Sequence, residues 1–129
     1  MDKWELKPLV SIGKIKFGMK REDVHKLFIE TCKAFKKTKF SKNTTDDYGK
    51  FHVFYDAEDN VEAVEIFENI EIVFEGRRVF PEYIENVKNR FMGMEQEGDD
   101  YIDIKLSIGI SAPSGKIESI IVGNKGYYE

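Results

Sequence analysis

From Ile102 to Ile110 every even position is apolar (Ile102, Ile104, Leu106, Ile108, Ile110), with Asp103, Lys105, Ser107 and Gly109 between them. A period of two belongs to β-strands, so the alternation predicts a half-buried antiparallel strand with one apolar and one wet face. Ala112-Pro113-Ser114-Gly115 is turn chemistry, and Ile117 to Val122 is expected to return beside that strand. Three more strands are predicted over Phe51 to Tyr55, Val61 to Phe67 and Ile70 to Phe74. Asp56-Ala57-Glu58-Asp59-Asn60 and Glu68-Asn69 part them. Near the start, Val10-Ser11-Ile12 and Lys14-Ile15-Lys16-Phe17 are short alternating stretches of one bent strand or an extended arm.

Two helices are expected as well. Val24, Leu27, Phe28, Thr31 and Phe35 form one apolar stripe on a helical period. Glu22 and Asp23 then occupy the first turn and Lys33, Lys36 and Lys37 the end, as the helix dipole favours. Lys20 is placed at the N-cap, with Met19 and Val24 as a hydrophobic staple. Pro81 suits the first turn of a second helix striped by Ile84, Val87 and Phe91, with Gly93 as its stop. Residues 38–50 read as a loop. The hairpin Phe54–Val64 can be laid on Ile110–Ile120, and Val24 with Phe28 on Val87 with Phe91, which suggests a duplicated helix–hairpin unit. The fold expected is α+β: an antiparallel sheet with two helices packed on one face. It forms a single domain over 1–129 with pseudo-repeat halves 10–75 and 76–129.

The 129 residues suffice for one sizeable core. No apolar run has the length of a transmembrane helix, and Met1 to Pro8 lacks a signal-peptide core, so a cytoplasmic location is expected. Cys32 is the one cysteine, and His25 and His52 are the two histidines. That leaves no internal disulfide and no multi-cysteine metal site. Asp56-x-Glu58-x-Asn60 opens like a calcium loop, but Val61 and Phe67 stand where glycine and a bidentate glutamate are needed. Cys32 borders the helical stripe and reads as a structural thiol, His25 as solvent-facing and His52 as a semi-buried ring. No serine elbow or phosphate-binding loop is present. Neither an enzyme nor a cofactor nor a metal is expected.

The charge is unevenly placed. Residues 1–44 hold 12 basic and 5 acidic groups, whereas residues 45–75 hold 1 basic and 10 acidic groups. Such asymmetry suggests a charged partner. Lys33, Lys36, Lys37, Lys39 and Lys42, interleaved with Phe35 and Phe40, offer a weak nucleic-acid reading, against which stands the sequence pI near 5.3. The favoured surface is the acidic one, formed by Asp46, Asp47, Asp56, Glu58, Asp59, Glu62, Glu65, Glu68 and Glu71 with Tyr48 and Tyr55. Tyrosines among carboxylates suit a basic protein partner, with no nucleic acid and no membrane involved. A housekeeping module binding a peptide or small ligand on the open sheet is the alternative.

Val10 to Val24 contains Ile12-Gly13-Lys14-Ile15-Lys16-Phe17-Gly18-Met19-Lys20-Arg21-Glu22-Asp23-Val24. It resembles the pattern I-G-x-I-x-[FL]-G-M-[ST]-x-x-[DE]-V, with Lys20 at the serine or threonine position. That pattern is similar to the helix start of the β-lactamase inhibitor protein and of small outer-membrane assembly lipoproteins. Together with Tyr48 to Asp56, Gly109 to Ile120 and Gly126-Tyr127-Tyr128, it also resembles small cytoplasmic proteins of Gram-positive bacteria. Some of those are encoded beside polymorphic toxins as immunity proteins. The resemblance implies a duplicated α/β unit that binds another protein with its sheet. Joined to the acidic segment, it leads to the expectation of a non-catalytic inhibitor that covers the cleft of a basic, nuclease-type toxin.

Overall fold

Aromatic and β-branched residues dominate the chain's centre, and they set its architecture. The computed structural model describes residues 1–41 and 43–129. Strands β6 (Phe51–Tyr55) and β7 (Val61–Ile66) form a hairpin closed by the turn at Asp56–Asn60. Strands β12 (Ile108–Ser111) and β13 (Ser119–Gly123) form a second, and β13 pairs antiparallel with β7 through Val122↔Val64. Outside them lie β4 (Lys33–Phe35) and β5 (Thr45–Asp47) on one flank, and β10 (Met94–Glu97) and β11 (Asp100–Asp103) on the other. The result is an eight-stranded sheet of order β10-β11-β12-β13-β7-β6-β5-β4. A second, five-stranded sheet completes the fold. It comprises β1 (Asp2–Lys7), β2 (Ser11–Ile12), β3 (Ile15–Lys16), β8 (Ile70–Phe74) and β9 (Arg77–Phe80), with β1 parallel to β8.

The molecule is therefore mostly β, with one α-helix and two sheets, and the expected α+β fold with two helices on one sheet is overturned. Helix α1 (Arg21–Leu27) begins after Lys20 as predicted but runs only 7 residues. Phe28 turns extended and packs its ring against Trp4, Tyr48 and Phe51. Beyond it the β-branched Ile29 and Thr31 favour helix poorly. Lys33–Phe35 instead pairs with Thr45–Asp47, inside the segment expected to be a loop.

The second helix fails for a related reason. Ile84, Val87 and Phe91 are all buried, as their spacing requires. The backbone, however, makes only the 3-10 turn Ile84–Asn86 followed by further turns. Asn86, Asn89 and Gly93 resist helix, and the amide of Ile84 is taken by the carbonyl of Gly115.

The alternating segment also divides. Residues 104–107 form a tight turn between β11 and β12, with Ser107 at φ +55°. Asp103 caps this turn, accepting bonds from the amides of Leu106 (2.9 Å) and Gly93 (3.0 Å). Asp103 and Ser107, expected on the wet face, are buried, whereas Ile104 is 47% exposed.

The two halves share four-stranded meanders, β4–β7 and β10–β13, in place of the expected helix–hairpin units. Equivalent hydrogen bonds tie each meander to the segment before it. Arg21 donates to the Asp59 carbonyl as Ile84 does to Gly115, and Val61 donates to Met19 as Ile117 does to Glu82, all at 2.9 Å. Inward-facing Val53, Val64, Ile66, Ile108, Ile110, Ile120 and Val122 join Leu6, Ile12, Ile15, Ile70 and Ile72 in one continuous core. The other face of the large sheet is its outer face, onto which Tyr127 and Tyr128 fold.

Candidate functional site

The strand register defines that outer face. One row crosses the whole eight-stranded sheet: Glu95, Ile102, Gly109, Ile121, Glu65, His52, Asp47 and Lys33 are successive partners. Glycine inside a strand often marks a close approach by another group. Tyr128 lies directly over Gly109 and Tyr127 over Gly123, the latter ring 2.7 Å from where a β-carbon would stand. The two rings meet edge to face at 5.1 Å. Burial, reinforced by Glu62 and Glu65, pushes the Tyr127 phenol up to about 12. Burial likewise raises Tyr128, with smaller contributions from Tyr127, Asp100 and Glu65.

Carboxylates from both halves surround this tyrosine pair. Glu65 and Glu62 come from β7, Asp100 from β11, and Glu95 and Glu97 from β10. Glu95, Glu97, Ile102, Ile104 and Tyr128 line a shallow cleft of about 220 Å3. Glu62 sits in a second cleft, of about 360 Å3, with Phe54, Asp56, Lys37 and Tyr127 among its walls. Burial there, with Asp56 nearby, raises the Glu62 carboxyl above its ordinary value. His52 bridges Asp47 and Glu65 at 3.4 Å each, with the rings of Phe35 and Phe67 on its flanks.

The acidic residues singled out from the sequence do not share one surface. Asp46 and Tyr55 are buried, and Tyr48 is half-buried in the Trp4–Phe28–Phe51 aromatic cluster. Asp56 is occupied by the turn, accepting the amides of Glu58 and Asn60, both at 2.9 Å. Asp59 pairs with Arg21 at 3.2 Å. Glu71 lies on β8 in the other sheet, 3.6 Å from Lys3. Glu58 and Glu68 are exposed, while Asp47, Glu62 and Glu65 reach the outer face. Missing from the sequence-based set are Glu95, Glu97, Asp100, Tyr127 and Tyr128. Gly109 and Gly123, small residues inside apolar strands, are the signal that could have found the tyrosines.

The basic stretch stays at the surface, its Lys33, Lys36, Lys37 and Lys39 all exposed. Lys33 stands opposite Asp47 across β4 and β5, and the Lys37 ammonium lies 4.3 Å above the Phe54 ring. Lys42 falls outside the described residues.

A second cluster centres on Asp46, only 1% exposed. Arg21 clamps it with one edge of the guanidinium, Nη2 donating to Oδ1 at 2.6 Å and Nε to Oδ2 at 3.3 Å. The Tyr55 hydroxyl donates to Oδ2 at 2.8 Å, and His25 Nε2 lies 2.7 Å from the same oxygen. Burial opposes the charge on Asp46, but the bonds from Arg21, His25 and Tyr55 outweigh it and hold its carboxyl below the usual range. Cys32, expected as a core thiol, is partly exposed with its Sγ 3.7 Å from the same His25 Nε2. Burial raises that thiol, and the neighbouring Asp46 adds to the effect. A Cys-His-Asp nucleophile requires the two imidazole nitrogens to serve thiol and carboxylate separately. Here one nitrogen faces both, so the arrangement is not a thiolate-generating triad.

Comparison with protein-family models, curated proteins and solved structures finds no match. The resemblance drawn from residues 10–24, 48–56 and the later segments rests on those segments alone. No helix among the described residues is long and apolar enough to cross a membrane.

Proposed function

We propose that this chain is a non-catalytic binding protein of the inhibitory, immunity-like kind, which takes a basic protein partner on the outer face of its eight-stranded sheet. The supporting observation is the Tyr127–Tyr128 pair seated over Gly109 and Gly123 and ringed by Glu62, Glu65, Asp100, Glu95 and Glu97. Aromatic side chains concentrate binding energy at the centre of interfaces. A surrounding rim of carboxylates steers a cationic partner and raises the association rate well above that of a neutral pair. A nuclease-type toxin is a fitting target, because its cleft is built for a polyanion and a rigid acidic sheet can occupy it. The carboxylates sit on paired strands, so little order has to be gained on binding.

The test is affinity capture from host lysate, identification of the partner, and measurement of its binding to purified protein. Binding of a basic protein is expected, with an association rate that falls steeply as salt rises. Combined Glu65→Lys, Glu95→Lys and Glu97→Lys should weaken that binding by about 100-fold or more while the thermal midpoint stays close to wild type. Glu71→Lys, on the other sheet, serves as the control and should leave affinity unchanged. A partner that binds the triple variant as tightly as the wild type would remove this face from consideration.

A further inference from the structure

Three side chains of different chemistry converge on one point at the end of α1. His25 is contributed by the helix, Cys32 by the segment before β4, and Asp46 by β5. Their Nε2, Sγ and carboxylate oxygen all lie within 4.8 Å of one another. The tight pair is Nε2 with Oδ2 at 2.7 Å, and Sγ stands 3.7 Å from the same nitrogen. Coordination to a single ion requires that convergence.

We infer that His25, Cys32 and Asp46 form a site for a zinc-type divalent transition metal, with a water as fourth ligand. Zinc bonds of about 2.0–2.1 Å to nitrogen and oxygen and about 2.3 Å to sulfur place tetrahedral ligands roughly 3.3–3.6 Å apart. The sulfur–nitrogen pair already stands near that separation. The imidazole and carboxylate need to part by about 0.6 Å to reach it. His25 can supply this movement, since its side chain is 46% exposed and belongs to a surface helix. The mixture of thiolate, imidazole and carboxylate suits zinc, whereas calcium or magnesium would reject the sulfur. Binding expels the thiol proton, and the metal takes Nε2 of the imidazole in place of its hydrogen bond to Asp46.

Arg21 is the main objection, because a guanidinium repels a cation. It holds Asp46 Oδ1 at 2.6 Å, however, and reaches Oδ2 only at 3.3 Å, and Oδ2, which also accepts the Tyr55 hydroxyl at 2.8 Å, is the oxygen beside His25 Nε2. Ligating carboxylates are ordinarily fixed by such outer hydrogen bonds, here from Arg21 and Tyr55. Thiolate and carboxylate together offset the charge of the ion itself. No ligand spacing was visible in the sequence, because positions 25, 32 and 46 belong to three separate elements.

Cobalt(II) titration of the reduced full-length protein, followed by absorption spectroscopy, tests the site. A 1:1 complex with tetrahedral d–d bands and a thiolate-to-cobalt charge-transfer band is expected, and zinc should displace the cobalt. Cys32→Ser should abolish the charge-transfer band. His25→Ala should weaken cobalt affinity by about 100-fold, with circular dichroism confirming that each variant stays folded. A folded, reduced protein that develops no charge-transfer band overturns the proposal. So does a band equally strong in His25→Ala, which would mark binding by the thiol alone.

Discussion

Tyr128 lies against the backbone of Gly109 so closely that a β-carbon there would overlap its phenol. Gly109 has no positive φ, so glycine is required at this position for space and not for conformational freedom. Tyr127 stands in the same relation to Gly123. The outer face of the large sheet is thus shaped by what two strand residues lack.

Gly109→Ala should therefore displace Tyr128 and destabilise the fold by about 1–3 kcal/mol, the usual penalty for overpacking. Adding Tyr128→Ala should recover part of that loss, because the phenol no longer competes for the space. Urea melts of the wild type, the single variant and the double variant give the coupling directly. Additive effects would mean that the two residues do not touch in solution.

Asp46 gives a prediction with a definite sign in pH. Its carboxyl is held below its ordinary value because the bonds from Arg21, His25 and Tyr55 outweigh the opposing effect of burial. A depressed carboxylate contributes stability that is fully present above the unfolded value of about 3.9. That contribution is lost as pH falls through the lower, folded value. Asp46→Asn should cost about 3 kcal/mol at neutral pH, since it leaves the largely buried Arg21 without its main counter-charge. Between pH 5 and about 2 the wild type should lose more stability than the variant, so the two curves converge in acid. Parallel curves across that range would show that Asp46 is not the titrating group.

How far the sequence reveals this molecule depends on how local each instruction is. Strands β6 and β8 match their predicted ranges to the residue, because aromatic and β-branched runs bounded by turn residues specify both type and limits. The stripe Ile84, Val87 and Phe91 is buried as its period demands, yet the same burial is achieved by consecutive turns. Periodicity reports which side chains go inside and leaves the backbone path open. Phe28 shows the reverse case, where a residue on a helical stripe leaves the helix to join Trp4 and Phe51. The tyrosine pair and the His25–Cys32–Asp46 cluster depend on pairings between distant segments. Only the two strand glycines hinted at the first, and nothing in the local sequence hinted at the second.

Ser107 carries the sharpest test of why the segment 102–110 turns instead of running straight. Its φ of +55° lies in the left-handed region, where a non-glycine residue is strained by about 1–3 kcal/mol. Its hydroxyl is buried and is the one buried side-chain polar atom without a hydrogen-bond partner among the described residues. Both penalties disappear in Ser107→Gly, although glycine adds entropy to the unfolded chain and offsets about 1 kcal/mol of the gain. The substitution should therefore stabilise the protein by about 1 kcal/mol, opposite in sign to most changes at a fully buried position. Ser107→Val, which keeps the left-handed backbone and adds β-branching, should destabilise it by more than that. Chemical denaturation of the two variants reads the difference. If Ser107→Gly proved less stable than the wild type, residues 104–107 would not form this turn, and the straight strand suggested by the alternation would regain its claim.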